Sequence, residues 1–169
     1  MKTPGHFDYL FLSRRPGFLF CGVTAMGPWT QQKIYEYIRQ VGPENALTIA
    51  LVGETSRQPF IGKLCVACVV RNRVRDIRRW PNRFEDVLCK KYHFSCFNEK
   101  LFRPLIVKPY WRELWWRECR SAAWLVVNDW VRDLTDGATH YWNPNICVPR
   151  WAPKVTWLAK IGDHQFAKE

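Results

Sequence analysis

The chain has 169 residues, 47% of them hydrophobic, with 10 Trp, 10 Phe and 6 Tyr; that is one domain's length with ample apolar material, which excludes a disordered chain. The formal net charge of +11 predicts attraction to polyanions such as nucleic acid, anionic lipid or a charged wall polymer, without choosing among them. No finger, RNP-like or helix-turn-helix pattern accompanies the basic run RNRVRDIRRWPNR at 71–83, so no stable nucleic-acid partner is expected and the run reads as a solvated helix end.

At the N-terminus, two short apolar bursts are split by Ser13-Arg14-Arg15-Pro16. Neither is long enough to span a membrane, and no signal peptide is expected. From Trp29 to Val41 the spacing of Ile34, Tyr37, Ile38 and Val41 predicts a helix with Thr30 as N-cap. Gly42-Pro43-Glu44 starts a second helix that runs through ENALTIALVGE and stops near Ser56.

Pro59 opens a third helix, with Ile61, Leu64, Cys65, Cys68 and Val69 as its apolar face. Cys65 and Cys68 lack a second pair at finger distance, so they read as core thiols rather than zinc ligands. His93 with Cys96 and His140 with Cys147 are likewise read as non-metal positions. Trp80-Pro81-Asn82 ends the pattern, FEDVLCKK makes a short helix, and a loop marked by Pro104 and Pro109 precedes the longest expected helix, 110–134. Its expected inner face is Trp111, Leu114, Trp115, Cys119, Ala122, Leu125 and Val126. Beyond Asp136-Gly137, ATHYW and VTWLAKI favour strands, and Gly162-Asp163 predicts a hairpin turn before HQFAK.

Glu54 closes the apolar helix IALVGE. A carboxyl desolvated against Ala50, Leu51 and Val52 has its pKa pushed up, as a general acid working at neutral pH requires. A helix-terminal glutamate is also a common solvated group, and position alone does not separate the two. In the GATHYWNP strand, Thr139 and Tyr141 fall on one side and His140 and Trp142 on the other. One pair is expected to face a cleft, with Tyr141 orienting a ligand and Asn143 bonding a hydroxyl; His140 reads as structural.

Four segments, ALTIALVGETSRQPFIGKLCVACVVRNRV, HFSCFN, GATHYWNP and KVTWLAKIGDHQFAK, together resemble the cell wall hydrolase family of the SleB, spore cortex-lytic type. In that family a Gly-Glu helix end is followed by Ala-Val-Val-x-Asn-Arg-Val, Gln-Phe-Ser, Gly-Ala-x-x-Tyr and Ile-Gly-Asn-His-x-Phe. The resemblance spans about residues 43–168. It implies an α+β, lysozyme-like fold, a mostly helical lobe with a small C-terminal antiparallel sheet. It also implies action on peptidoglycan glycan strands at the bond between N-acetylmuramic acid and N-acetylglucosamine, with Glu54 catalytic and Phe94 and Ser95 lining the cleft; separately, no cofactor or metal is expected.

Two positions depart from the family pattern: Gln58 stands where a second acid is common, and His93 where a Gln precedes Phe-Ser. Ordinary glycosidases need two carboxyls, whereas a lytic transglycosylase needs one, so the latter is favoured over a muramidase. Asp76, Glu85, Asp86, Glu99 and Asp136 remain as possible second carboxylates. Residues 1–42 are expected to form an extension whose helix packs on a catalytic domain at 43–169, with the Gly162-Asp163-His164 hairpin closing the fold. A phage endolysin is expected, made in the host cytoplasm and released onto the wall, with surface cations holding it to anionic wall or outer-membrane phosphates. The rival is a non-catalytic basic module binding wall or nucleic acid.

Overall fold

The computed structural model describes residues 30–91, 93–98 and 113–169. The N-terminal apolar bursts, Glu99, the Pro104 and Pro109 loop and Trp111 lie outside these residues.

Helix α1 (Gln31–Gln40) begins where Thr30, in extended backbone, accepts the Lys33 N–H at 3.4 Å. Its Ile34 and Ile38, one turn apart, are fully buried, each stabilising by about 1.5–3 kcal/mol. Helix α2 (Pro43–Thr55) follows Gly42, whose φ of 80° suits a residue without Cβ. It is buried continuously from Ala46 to Val52, which makes it the central helix, packed against α3 (Phe60–Arg75), α4 (Phe84–Leu88), a 3-10 turn (Ser95–Phe97) and α5 (Leu114–Val127). Among the described residues no helix is long and apolar enough to cross a membrane.

The structure corrects three expectations. Helix α5 ends at Val127 rather than near residue 134, because Asn128 caps it and Asp129 turns to a φ of 58°. Its buried face is Trp116, Cys119, Ala122, Ala123 and Val126, while Leu114, in the helix's first turn, is 64% exposed. On α3, Ile61 is exposed, whereas Cys65, Cys68 and Val69 are buried as expected. The basic run is solvated only in its second part: Arg71 and Arg73 are buried, whereas Arg75, Arg78, Arg79 and Arg83 are exposed, with Arg75, Arg79 and Arg83 paired at the surface with Asp129, Glu169 and Glu85.

Strands β1 (His140–Trp142), β2 (Thr156–Ile161) and β3 (His164–Lys168) form an antiparallel sheet in the order β1-β3-β2. Tyr141 pairs with Phe166, and the β2–β3 register is interrupted between Trp157 and Ala159. With this sheet set against a helical lobe, the chain is α+β and lysozyme-like in architecture. Three consecutive α3 residues set where β1 lies. Arg71 donates to the Val131 carbonyl at 2.6 Å, Asn72 to the Ala138 carbonyl at 3.0 Å and to Asp133, and Arg73 to the Thr139 carbonyl at 2.6 Å. Asp133 in turn accepts the Thr135 and Gly137 N–H groups, so the turn into β1 is bonded along its length.

Candidate active site

Glu54 sits in the last turn of α2, where two other elements converge on its carboxylate. Ser95 Oγ donates to Oε1 at 3.2 Å, the Cys96 N–H approaches the same oxygen at 3.5 Å, and Tyr141 Oη reaches Oε2 from β1 at 3.4 Å. Burial pushes the Glu54 pKa up, and these donors pull it part of the way back. The net result is a carboxyl that holds its proton to higher pH than an ordinary glutamate. Burial also raises the Tyr141 phenol, with Glu54 adding to the effect, so Tyr141 remains a donor. Gly53 and Ser95 are exposed beside Glu54, which leaves the carboxyl reachable from the surface. Two open surface concavities, of about 480 Å³ around Arg75, Thr139 and Lys168 and about 710 Å³ around Arg39, Trp80 and Lys90, do not include it.

The remaining expected site residues take different places. Phe94 is only 3% exposed and its ring faces Phe97 and the Arg73 guanidinium, so it packs beneath the site rather than offering a contact surface. The Thr139 hydroxyl turns to His140 Nδ1 at 3.0 Å instead of to Glu54. Asn143 accepts the Asn145 N–H at 2.9 Å, which commits its carboxamide oxygen to the turn after β1. His140 and Trp142 both pack on Trp151, the opposite side of the strand from Tyr141. Burial, with the Arg73 charge second, lowers the His140 pKa and keeps the ring neutral.

No second carboxylate bonds to Glu54 among the described residues. Asp76, Glu85 and Asp86 pair with Arg79, Arg83 and Arg39, and Asp136 occupies a left-handed turn position before Gly137. Gln58 faces away from the site: its amide donates to Asp163 Oδ2 at 2.8 Å and accepts the Asp163 N–H at 3.1 Å. The position that departs from the family's second acid is thus a clamp on the β2–β3 hairpin.

Residue-level reasoning missed Asn72 and Arg73, which were absorbed into the basic run. The signal available for Arg73 was helical register. It lies four residues after Val69 and eight after Cys65, on the same buried stripe.

A helical lobe and a three-stranded antiparallel sheet that hold one half-buried carboxyl between a strand tyrosine and a short turn place the protein in the α+β, lysozyme-like class. A sequence model of the family described as Cell Wall Hydrolase matches residues 57–167. The chain belongs to that family, of the SleB type. The matched residues begin just after Glu54, so Glu54 is placed by its geometry. The spore cortex-lytic enzyme of Bacillus cereus is 27% identical over 119 residues, 70% of this chain and 41% of that enzyme. This chain therefore spans about two fifths of its curated relative. Among solved structures, the catalytic domain of the germination-specific lytic transglycosylase SleB from Bacillus anthracis aligns over 85% of this chain and 99% of its own, with a TM-score of 0.59 and 24% identity. The catalytic domain of Bacillus cereus SleB aligns over 85% and 94%, with a TM-score of 0.57 and 25% identity.

Proposed function

We propose that the protein degrades peptidoglycan as a lytic transglycosylase, cleaving the β-1,4 bond between N-acetylmuramic acid and N-acetylglucosamine with Glu54 as the only group that moves protons. The observation that carries this reading is a burial-raised carboxyl held by three donors, with no second carboxylate bonded to it among the described residues. The name of the Bacillus anthracis relative supports the same reaction.

In this mechanism protonated Glu54 gives its proton to the glycosidic oxygen as the C1–O bond breaks, and N-acetylglucosamine leaves with a free 4-hydroxyl. The Glu54 carboxylate then takes the proton of the muramic C6 hydroxyl while that oxygen bonds to C1, forming the 1,6-anhydro ring and restoring the acid. Tyr141 and Ser95 hold the carboxylate during the interval between the two transfers. A hydrolytic muramidase of the same fold would need a second acid to activate water.

Mass spectrometry of fragments released from purified peptidoglycan decides the matter. Anhydro-muramyl ends made by the wild type and absent with Glu54→Gln are expected. Reducing muramic ends would make the protein a muramidase, and no cleavage by either protein would leave a basic binding module.

The reading extends to a phage endolysin, made in the host cytoplasm and released onto the wall at lysis, with anionic wall or outer-membrane phosphates as its surface partner. The charge of +11 supports that partner. Lysis that requires a co-expressed holin is the expected result, and lysis by the protein alone would end this part of the proposal.

A further inference from the structure

Arg73 has an unusual place for a charged group. It is 4% exposed, its Nε–H is bonded to the Thr139 carbonyl, and its Nη1 is buried without a hydrogen-bond partner among the described residues. No carboxylate lies within ion-pair distance of it there. Its Cζ stands 4.4 Å from the Trp80 ring centroid and 5.6 Å from that of Phe94. A buried cation without a paired anion is costly, and folds retain one where its field acts on something. Two of its three attachments lead to Glu54: Thr139 is two residues before Tyr141, and Phe94 directly precedes Ser95 and Cys96.

Resting on the proposed role of Glu54, we infer that Arg73 is a positioning residue for the catalytic acid. Through its bond to the Thr139 carbonyl it anchors the strand that carries Tyr141, and so keeps the Tyr141 hydroxyl on the Glu54 carboxylate once its proton has left. The groups facing Glu54 are Ser95 and Cys96 from the 3-10 turn and Tyr141 from β1. The titratable groups whose charges act on Arg73, or feel its charge, are Glu54, Tyr141, His93 and His140, with Lys90 on the Trp80 ring. Burial, with the Arg73 charge next, holds His93 down to about 4 and also lowers His140. Both rings are therefore neutral near pH 7, and Arg73 is the standing charge against the strand that carries Tyr141.

The test is the carboxyl titration of Glu54, followed by carbon-13 NMR without substrate, together with the alkaline limb of kcat/KM. Arg73→Gln, which releases the Thr139 carbonyl and lets Tyr141 leave the carboxylate, is expected to raise the Glu54 midpoint by about one pH unit and to move the alkaline limb upward with it. Arg73→Lys should restore both. A folded Arg73→Gln protein with an unchanged midpoint would overturn the inference, whatever its activity. Should Arg73→Gln fail to fold, the Arg73 Nε–H resonance is followed instead. It should shift as Glu54 titrates in the wild type and not in Glu54→Gln, and no shift in the wild type would be equally decisive against the role. An Arg73-dependent titration in a protein that releases no anhydro ends would leave this inference standing and remove only the transglycosylase reading.

Discussion

A glutamate at the end of an apolar helix becomes an acid only when neighbours decide how much of its charge is desolvated. Burial dominates at Glu54 and raises its pKa, and the long contacts from Ser95, Cys96 and Tyr141 offset it in part. Glu54→Gln should therefore cost at least about 100-fold in wall cleavage while leaving the fold intact. The same shift sets the sign of its effect on stability. A carboxyl whose folded pKa is raised contributes fully below its unfolded pKa, near about 4.3, and loses that contribution as pH rises through the folded value. Thermal denaturation should thus show Glu54→Gln melting above the wild type at neutral pH, with the gap closing in acid. Glu54 was legible because the hydrophobic stretch before it is continuous in the chain. Arg73 was not, because its burial is made by Trp80, Phe94 and Thr139, which come from other elements.

Among the elements, the turn of the β2–β3 hairpin is clamped by the Gln58 side chain from the loop between α2 and α3, while Phe166 of β3 is buried in the helical core. Gln58 offers Asp163 both a donor and an acceptor, and Gly162, at a φ of 58°, leaves room that a Cβ would take at 2.5 Å from Gln58 Oε1. Where the resembling family has Glu and Asn at these two positions, this chain has Gln and Asp, so one carboxylate and one amide stand there in either case. Gln58→Glu should set two carboxylates against each other and cost about 1–3 kcal/mol. Asp163→Asn added to it should recover most of that loss, and a double-mutant cycle by denaturant unfolding measures the coupling. The turn itself was legible from Gly-Asp; its partner, 105 positions earlier, was not.

For the molecule as a whole, the charge of +11 is carried by side chains of two kinds. Arg71 and Arg73 are buried, and exposed pairs such as Arg39–Asp86 and Arg79–Glu169 each contribute little to stability. Raising salt from about 0.05 M to about 0.5 M should release the Glu54→Gln protein from purified walls in a sedimentation assay, while its melting temperature barely moves. Retention unaffected by salt would remove electrostatics from the proposed partner's recognition. By itself the sequence determined what local physics controls: the helices around Thr30, Pro43 and Pro59, the strand and hairpin at the C-terminus, the core thiols, and Glu54 as the candidate acid. Only the tertiary structure decided where α5 turns outward, which arginines are buried, that position 58 serves the hairpin, and that Tyr141 reaches Glu54 from 87 positions away. Periodicity and capping act over a few residues, whereas these outcomes depend on long-range packing that brings separate elements into contact.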